Sequence, residues 1–501
     1  MSGTKDEAAG DEAVAAPAIG ADESEVVSVE EQEEFLRLLK QLNLVQAVDQ
    51  QRQLQKEHRF WGTQPVPKPK EDAEETPTSL HGPIDDDKTV GQVRQEPYNM
   101  PPGFAWTELD VNNPTEVQEV YDLLTHNYVE DDGSTFRFDY SVDFLQWALM
   151  PPGFRKKWHI GVRNTHNNKL MAFISGIPAR TRVYADTLDL AEINFLCVHK
   201  KLRAKRLAPV LIKEITRRVN LCNIWQAVYT AGVVLPMPVA QCRYFHRSLN
   251  PKKLIEIGFS PLPPRMTLAQ TIKTLKLPMH TSTPGFRPME RTDVPQVAVL
   301  LKNYLSKFHL AVEFDEDEVA HWMLPRVGVV SAYVVENPAT SEVTDVCSFY
   351  HLPSTIIGDD KHKMLNAAYS FYNVATSVSL AQLMQDALVM AKKEHFDVFN
   401  ALDLMDNAEI LQQLKFGPGT DMGKACRDMA EALRDCMIQQ ECMSDGKRTL
   451  KQCLHDRAYS HECKVGLEYR LAYFECKRGQ LDMRTRIRGP KGGMSKPVDS
   501  K

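Results

Sequence analysis

One run of residues, 192–209, constrains the fold of this chain more than any other part of it. Its first half, residues 192–200, is mostly apolar and has the length of one strand. Apolar residues then recur at helical spacing, which predicts an amphipathic helix with one buried face: Leu207, Val210, Leu211 and Ile215. Three cations, Arg203, Lys205 and Arg206, lie between the two patterns. The run predicts a strand, a basic loop and a helix, which is typical of a mixed α/β domain.

The start of the predicted helix suits a phosphate anion. Its first turn points free backbone N–H groups at the loop, and the positive end of the helix dipole adds to the three cations. The chain has no Gly-x4-Gly-Lys-Ser/Thr, which argues against a nucleoside triphosphate loop. The alternative interpretation is an ordinary solvated basic loop.

Composition excludes several classes of protein. A chain of 501 residues with 43% hydrophobic residues has room for two or three domains, each with a core. A net charge of -6 argues against a nucleic-acid binder, and no apolar run reaches the roughly 18 residues of a membrane span. The start lacks the order of a secretory signal. We therefore expect a cytoplasmic protein in which the central cysteines, Cys197, Cys222, Cys242 and Cys347, are reduced.

The chain divides into five predicted segments. Residues 1–57 are an acidic, disordered tail with one short helix, and residues 58–94 are a docking segment and linker. Two blocks of alternating helix and strand patterns follow, residues 95–275 and 276–419, and predict two copies of one topology without a sequence repeat. Residues 420–501 are rich in cysteine and end in a basic tail.

The coarse element predictions follow the periodicity of apolar residues. Helices are expected at 116–127, 207–219, 294–307, 316–322 and 380–393. Strands are expected at 158–162, 170–177, 192–200, 226–234, 331–335, 346–351 and 398–401.

Residues 58–417 resemble the eukaryotic N-myristoyltransferases, or glycylpeptide N-tetradecanoyltransferases. The resemblance is carried by the 192–209 run and by five further phrases: Tyr128–Asp132, Phe136–Tyr140, Tyr229–Val233, Tyr244–Pro251 and Phe399–Asp403. It implies an α/β fold of two acetyltransferase-like halves that form one saddle-shaped sheet. It also implies transfer of a tetradecanoyl group from myristoyl-CoA, the co-substrate, to the N-terminal glycine amine of proteins. Residues 95–275 would hold the acyl-CoA and 276–419 the peptide, without a prosthetic group or metal.

The same resemblance implies the roles of individual residues. A bulge in the 192–200 strand would aim the backbone N–H groups of Phe195 and Leu196 at the thioester oxygen as an oxyanion hole. The implied acyl-CoA contacts are Arg59, Phe60, Trp61, Phe195, Leu196, Cys197, Val198, Arg203, Ala204, Lys205, Arg206, Leu207 and Ala208. The implied peptide groove consists of Val129, Asp131, Phe136, Phe138, Tyr140, Asn194, Thr230, Tyr244, His246, Phe259, Ser354, Leu365, Tyr369 and Asn400.

Each of these residues also has a plain structural interpretation. The aromatic residues, Phe60 and Trp61 among them, could be core anchors, and His246 could be a satisfied structural histidine. Cys197 invites a thiol-nucleophile mechanism, but no paired His and Asn pattern accompanies it, so packing is favoured.

The resemblance to the transferases ends near Gly419. The family continues with a short final strand whose terminal carboxylate accepts the proton of the glycine ammonium, whereas this chain continues from Thr420 to Lys501. Asp421 is the candidate substitute base. The alternative is a catalytically impaired protein that still binds acyl-CoA and peptide.

Six cysteines mark the last segment: Cys426-x9-Cys436, Cys442, Cys453-x9-Cys463 and Cys476. Two such pairs on facing helices form an antiparallel hairpin that disulfides can staple, and the spacings are too long for a zinc site. Residues 422–490 resemble twin Cys-x9-Cys cytochrome c oxidase assembly factors of the mitochondrial intermembrane space, although Cys463-x12-Cys476 departs from their spacing. The acidic start of the chain argues against mitochondrial targeting. We hypothesise a fused or mispredicted gene product joined near Gly419, with a mitochondrial interaction protein as the alternative function.

Overall fold

The computed structural model describes residues 60–66, 82–85, 88–128, 135–230, 239–240, 242–263 and 266–418. Residues 60–66 belong to a separate compact unit, in which the rings of Phe60 and Trp61 meet edge to face at 5.1 Å. The other described residues belong to the second unit, which carries all the sheets reported below.

The second unit alternates strands and helices along the chain. Its first part consists of β1 Phe104–Glu108, α1 Pro114–Asn127, β2 Phe136–Phe138, α2 Val142–Leu149, β3 His159–Asn164, β4 Leu170–Val183, β5 Asp186–Val198, α3 Leu207–Asn220, β6 Ala227–Tyr229, β7 Tyr244–Ser248, α4 Pro251–Glu256 and α5 Leu268–Thr274. Its second part consists of β8 Phe286–Pro288, α6 Val294–Leu305, β9 Leu310–Val312, α7 Glu316–Met323, β10 Val330–Glu336, β11 Val343–His351, β12 Ser354–Ile356, β13 Met364–Leu365, β14 Ala367–Val374, α8 Leu380–Lys393, β15 Val398–Leu402, α9 Asn407–Leu411 and β16 Gly417–Pro418.

The first large sheet has the strand order β1-β3-β4-β5-β6, and β9 pairs with the far end of β4. Only β5 and β6 run parallel among its adjacent strands. Parallel strands need a crossover, and α3 supplies it with a face of buried residues at helical spacing: Leu207, Leu211, Ile215 and Val219. The helix packs this face against Ile160 and Ile174 of the sheet and against Trp158, which directly precedes β3.

The second large sheet repeats this plan with the order β8-β10-β11-β14-β15-β7-β16. Two helices, α6 and α7, lie between β8 and β10, just as α1 and α2 lie between β1 and β3 in the first copy. The strands β14 and β15 are parallel, and α8 is the crossover between them. The prediction of two copies of one topology is therefore confirmed. The hydrogen bonds of the described residues form two large sheets and a small third one.

The two copies exchange strands. β7 precedes the second copy in sequence but pairs with β15, whereas β9 follows β8 and pairs with β4. β2 joins β12 and β13 in a three-stranded sheet. These long-range pairings bring segments more than 120 residues apart in sequence into one neighbourhood, and the pair of Phe138 and Ser354 spans more than 200.

Most predicted elements agree with the observed ones to within a few residues. The basic segment after β5 is a 3-10 helix, Lys200–Lys205, and not a loop. The strand expected at 226–234 covers Ala227–Tyr229, and residues 231–238 lie outside the described residues. Within the described residues, none of the helices combines the length and apolar character needed to cross a membrane.

Candidate active site

The 192–200 strand contains the bulge that the family resemblance implies. Asn194 pairs with Ser175 and Cys197 pairs with Phe173, so two residues of β5 lie opposite the single residue Ile174. The bulged residue Phe195 has φ 55°, a left-handed conformation that costs a non-glycine residue free energy. Such a bulge breaks the ladder of hydrogen bonds and re-aims the backbone amides at this point.

The bulge also changes which face each side chain occupies. Ile193 packs toward α3, and a regular strand would place Phe195 and Cys197 on the same face. After the bulge it is Leu196 and Val198 that join Ile193, while Phe195 and Cys197 pack against α1 and α2. One extra residue therefore directs the Phe195 ring into the aromatic side of the site.

The helix after the bulge begins without a side-chain cap. Arg206 occupies the N-cap position of α3 with φ 55°, and no side chain caps the first amides of the helix. Those amides and the positive end of the helix dipole are therefore open to an anion. Lys205 and Arg206 are exposed, and the guanidinium of Arg203 donates to the carbonyl of Asn127 at the end of α1. Ala204 lies in the 3-10 helix, and Leu207 and Ala208 form the first turn of α3.

Cys197 is buried beside the bulge, with 2% of its surface exposed. Burial raises the pKa of its thiol to about 12, so the thiol is protonated at neutral pH. A protonated, inaccessible thiol is a poor nucleophile, which supports the packing interpretation.

The predicted peptide residues near the bulge meet in the three-stranded sheet. Ser354 of β12 pairs with Phe138 on one side and with Leu365 on the other. The ring of Phe138 contacts Tyr140 with ring centroids 5.8 Å apart, and Tyr140 meets Phe195 edge to face at 5.1 Å. A continuous aromatic wall thus joins this small sheet to the bulge.

A second group of predicted peptide residues surrounds His246. Its Nδ1 lies 2.6 Å from Oδ1 of Asn400 on the neighbouring strand, and its ring meets Phe259 at 5.2 Å. Burial lowers the pKa of His246, so the imidazole is neutral near pH 7 and donates from Nδ1 to the amide oxygen. Phe259 in turn contacts Phe136 of β2, which connects this group to the aromatic wall.

Tyr369 connects the aromatic wall to Tyr244, a further predicted peptide residue. Its ring contacts Phe138 at 6.4 Å and Tyr244 at 5.7 Å. Thr230 directly follows β6 and is exposed. Val129, Asp131, Arg59 and Asp421 lie outside the described residues, so their predicted roles remain predictions.

The sequence analysis missed three contributors to this site. Tyr350 stacks on Tyr369 with centroids 5.2 Å apart, and Ser175 donates from Oγ to the carbonyl of Asn194 over 2.9 Å. Glu192 accepts a hydrogen bond from Nδ2 of Asn194 at 2.8 Å. The only available signal was the two-residue spacing of Glu192 and Asn194, which puts both on one face of a strand.

A bulged strand, an uncapped helix start with exposed cations, and an adjoining aromatic wall define a class of protein. It is a coenzyme A-dependent acyltransferase with acetyltransferase-like topology.

Comparison with known proteins identifies the family. The family model "Myristoyl-CoA:protein N-myristoyltransferase, N-terminal domain" matches residues 83–242, and the corresponding C-terminal domain matches residues 256–423. Glycylpeptide N-tetradecanoyltransferase 1 of Arabidopsis thaliana is 59% identical over 365 residues, which are 73% of this chain and 83% of the relative. The enzyme of Dictyostelium discoideum is 55% identical over 365 residues, 73% of this chain and 87% of the relative. The chain belongs to the N-myristoyltransferase family.

A solved structure agrees with this result. The crystal structure of Saccharomyces cerevisiae N-myristoyltransferase with bound myristoyl-CoA superposes with a TM-score of 0.69 at 43% identity, covering 73% of this chain and 90% of that chain. The C-terminal resemblance is also confirmed, because residues 423–490 match the family "Cytochrome c oxidase assembly protein PET191". The two families therefore meet at Gly423, close to the junction expected near Gly419.

Proposed function

We propose that this chain transfers the tetradecanoyl group of myristoyl-CoA to the N-terminal glycine amine of peptides and proteins. The observation that carries the proposal is the bulge at Phe195 and Leu196, set between the uncapped start of α3 and the aromatic groove. The 59% identity over 83% of an N-tetradecanoyltransferase supports it independently.

Each substrate has a set of matching groups. The pyrophosphate of the co-substrate binds at the first amides of α3, where Lys205 and Arg206 add positive charge. The thioester carbonyl lies at the bulge and accepts hydrogen bonds from the backbone N–H groups of Phe195 and Leu196. These donors stabilise the negative charge that develops on the carbonyl oxygen, and fixed backbone donors need no reorganisation to do so.

The peptide lies in the groove formed by the aromatic wall and by the group around His246. Asn194 and Thr230, which flank the bulge, contact the incoming amine. A glycine amine approaches the thioester closely because glycine has no Cβ, which explains the N-terminal residue the family modifies.

The reaction is a direct aminolysis. The amine nitrogen forms a bond to the carbonyl carbon, the carbon–sulfur bond breaks, and coenzyme A leaves as its thiolate. The glycine ammonium first loses one proton, for which Asp421 is the proposed acceptor. The nitrogen loses a second proton as the amide forms, and the coenzyme A thiolate takes up that proton. The burial and the raised thiol pKa of Cys197 argue against an acyl-cysteine intermediate.

Single-turnover acyl transfer tests the proposal. The full chain is mixed with myristoyl-CoA and a Gly-initiated peptide, beside a version truncated after Gly419 that carries a family-type ending. Transfer by the full chain would support Asp421 or another internal base, and the variant Asp421→Asn then identifies it. Transfer by the repaired version alone would establish the impaired binding protein. If neither version binds myristoyl-CoA, the proposed function is wrong.

The match of residues 423–490 favours a second function for that segment, an interaction module with paired cysteines. A cytoplasmic location fits the transferase part, in which Cys197, Cys222, Cys242 and Cys347 are free. Fractionation of cells expressing the full chain separates the alternatives: recovery in the mitochondrial intermembrane space would contradict the cytoplasmic location and support the interaction module.

A further inference from the structure

Glu192 places a carboxylate directly before the bulge. It lies two residues from Asn194 on β5, so the two side chains project from the same face. Nδ2 of Asn194 donates to Oε1 of Glu192 over 2.8 Å. The backbone carbonyl of Asn194 accepts from Oγ of Ser175 at 2.9 Å. Both the side chain and the backbone of Asn194 are therefore held in place at the entrance to the bulge.

No cation compensates this carboxylate in the part of the chain that the structure describes. Glu192 is half-buried, and none of the salt bridges between described residues includes it. The charge of Glu192 also acts on Tyr372 of β14: burial raises the pKa of Tyr372, and that charge adds to the rise. A half-buried carboxylate that no cation of the described residues pairs favours a cationic ligand.

The hydrogen bond to Glu192 decides how the Asn194 amide is presented. Because one N–H of Nδ2 donates to the carboxylate, the orientation of the amide is fixed, and Oδ1 is the acceptor atom that it presents to a ligand. Donation to an anion also polarises the amide and strengthens Oδ1 as an acceptor. The arrangement suits a ligand that carries N–H groups and positive charge, such as a primary ammonium.

We propose that Glu192 is a positioning residue that orients Asn194 toward the N-terminal amine of the peptide and attracts that amine by its charge. This inference rests on the proposed function, which supplies the amine. It assigns Glu192 to peptide recognition and gives it no contact with the acyl-CoA.

The test is a comparison of two peptides that differ only in the amine. The full chain is saturated with a non-reactive thioether analogue of myristoyl-CoA, and the affinity for a Gly-initiated peptide is measured by calorimetry. The second peptide carries an acetyl group in place of the glycine, which removes the amine and nothing else. In the Glu192→Ala variant the affinity for the amine peptide should fall about tenfold, equivalent to ~1.4 kcal/mol. The affinity for the acetyl peptide should not change.

Conservative variants separate charge from geometry. Glu192→Gln keeps an acceptor oxygen for Asn194 and removes the charge. It should therefore lose only part of the preference for the amine peptide over the acetyl peptide. Glu192→Asp keeps the charge on a side chain shorter by one methylene, and should recover part of it. Asp189→Asn is the matched control, because it removes an exposed carboxylate from the same strand and should leave both affinities unchanged.

The outcomes distinguish the inference from the proposed function. Equal loss of affinity for both peptides, or wild-type discrimination in Glu192→Ala and Glu192→Gln, would overturn the positioning role. Glu192→Gln has nearly the same volume as the native residue, so it guards against a folding defect in the alanine variant. Failure of the unmodified chain to bind the thioether analogue would instead overturn the proposed function, and this inference with it.

Discussion

The hydroxyl of Ser175 offers a direct test of the bulge. Ser175 has no exposed surface, and its Oγ donates to the carbonyl of Asn194 over 2.9 Å, immediately before the bulged residue. Ser175→Ala removes one buried hydrogen bond, so the free energy of unfolding should fall by about 1 kcal/mol. Chemical denaturation monitored by tryptophan fluorescence measures this change.

The same substitution should also slow acyl transfer, and by more than the small loss of folded protein would explain. One well-placed oxyanion donor contributes about 100- to 1,000-fold to a rate, and a loosened bulge would misalign its donors without removing them. We expect a roughly tenfold decrease in the single-turnover rate, since losing about a third of ~4 kcal/mol corresponds to that factor. The Kd for myristoyl-CoA should remain unchanged, because the anion site at α3 is intact.

The second copy of the topology supplies a matched control. There β14 carries a corresponding bulge opposite Ser348, whose Oγ donates to the carbonyl of Tyr372 over 2.9 Å and accepts from its N–H at 3.1 Å. Ser348→Ala should cost about 2 kcal/mol of stability, because it also leaves a buried N–H without its acceptor. It should leave the transfer rate near the wild-type value. A Ser175→Ala variant with wild-type rate, or equal slowing by both variants, would refute the reasoning.

Three further predictions follow from single side chains. Cys197→Ala should retain acyl transfer within about twofold, since the thiol pKa of about 12 excludes a thiolate role; a steady-state rate below a tenth of wild type would contradict this. For Asp345, burial alone would raise the pKa, but hydrogen bonds from Ser377 and other donors lower it overall, so the charged form stabilises the fold above the unfolded pKa of about 4. Asp345→Asn should therefore reduce the urea midpoint at pH 7, and the two proteins should converge as the pH falls below about 4; a constant difference down to pH 3 would contradict the assignment. Lys205→Ala should raise the KM for myristoyl-CoA about threefold at low salt and less at high salt, whereas Lys213→Ala, at an exposed position of α3, should not.

Much of the fold could be predicted because local patterns specify it. The α3 helix begins at Leu207 and buries every fourth residue to Val219, as the spacing of apolar residues indicated. The strands β10, β11 and β15 also follow from short apolar runs. The repeated order of helices and strands was sufficient to predict two copies of one topology, since element type depends mainly on periodicity.

The sequence also determined which charged and aromatic groups the site contains. It determined the cations of the 200–206 segment, the aromatic residues of the groove, and the two-residue spacing of Glu192 and Asn194. It placed the change from one family to another near Gly419, close to Gly423 where the two family matches meet, because that boundary is a matter of residue identity alone.

Only the tertiary structure decided how these residues meet. The bulge at Phe195 exists because two residues of β5 oppose one residue of β4, and register depends on a partner strand. The pairing of β2 with β12 joins residues about 220 positions apart, and the division into two large sheets depends on the same long-range hydrogen bonds. Periodicity describes one segment at a time, so it assigns the elements, whereas the site is formed by contacts between elements that lie far apart along the chain.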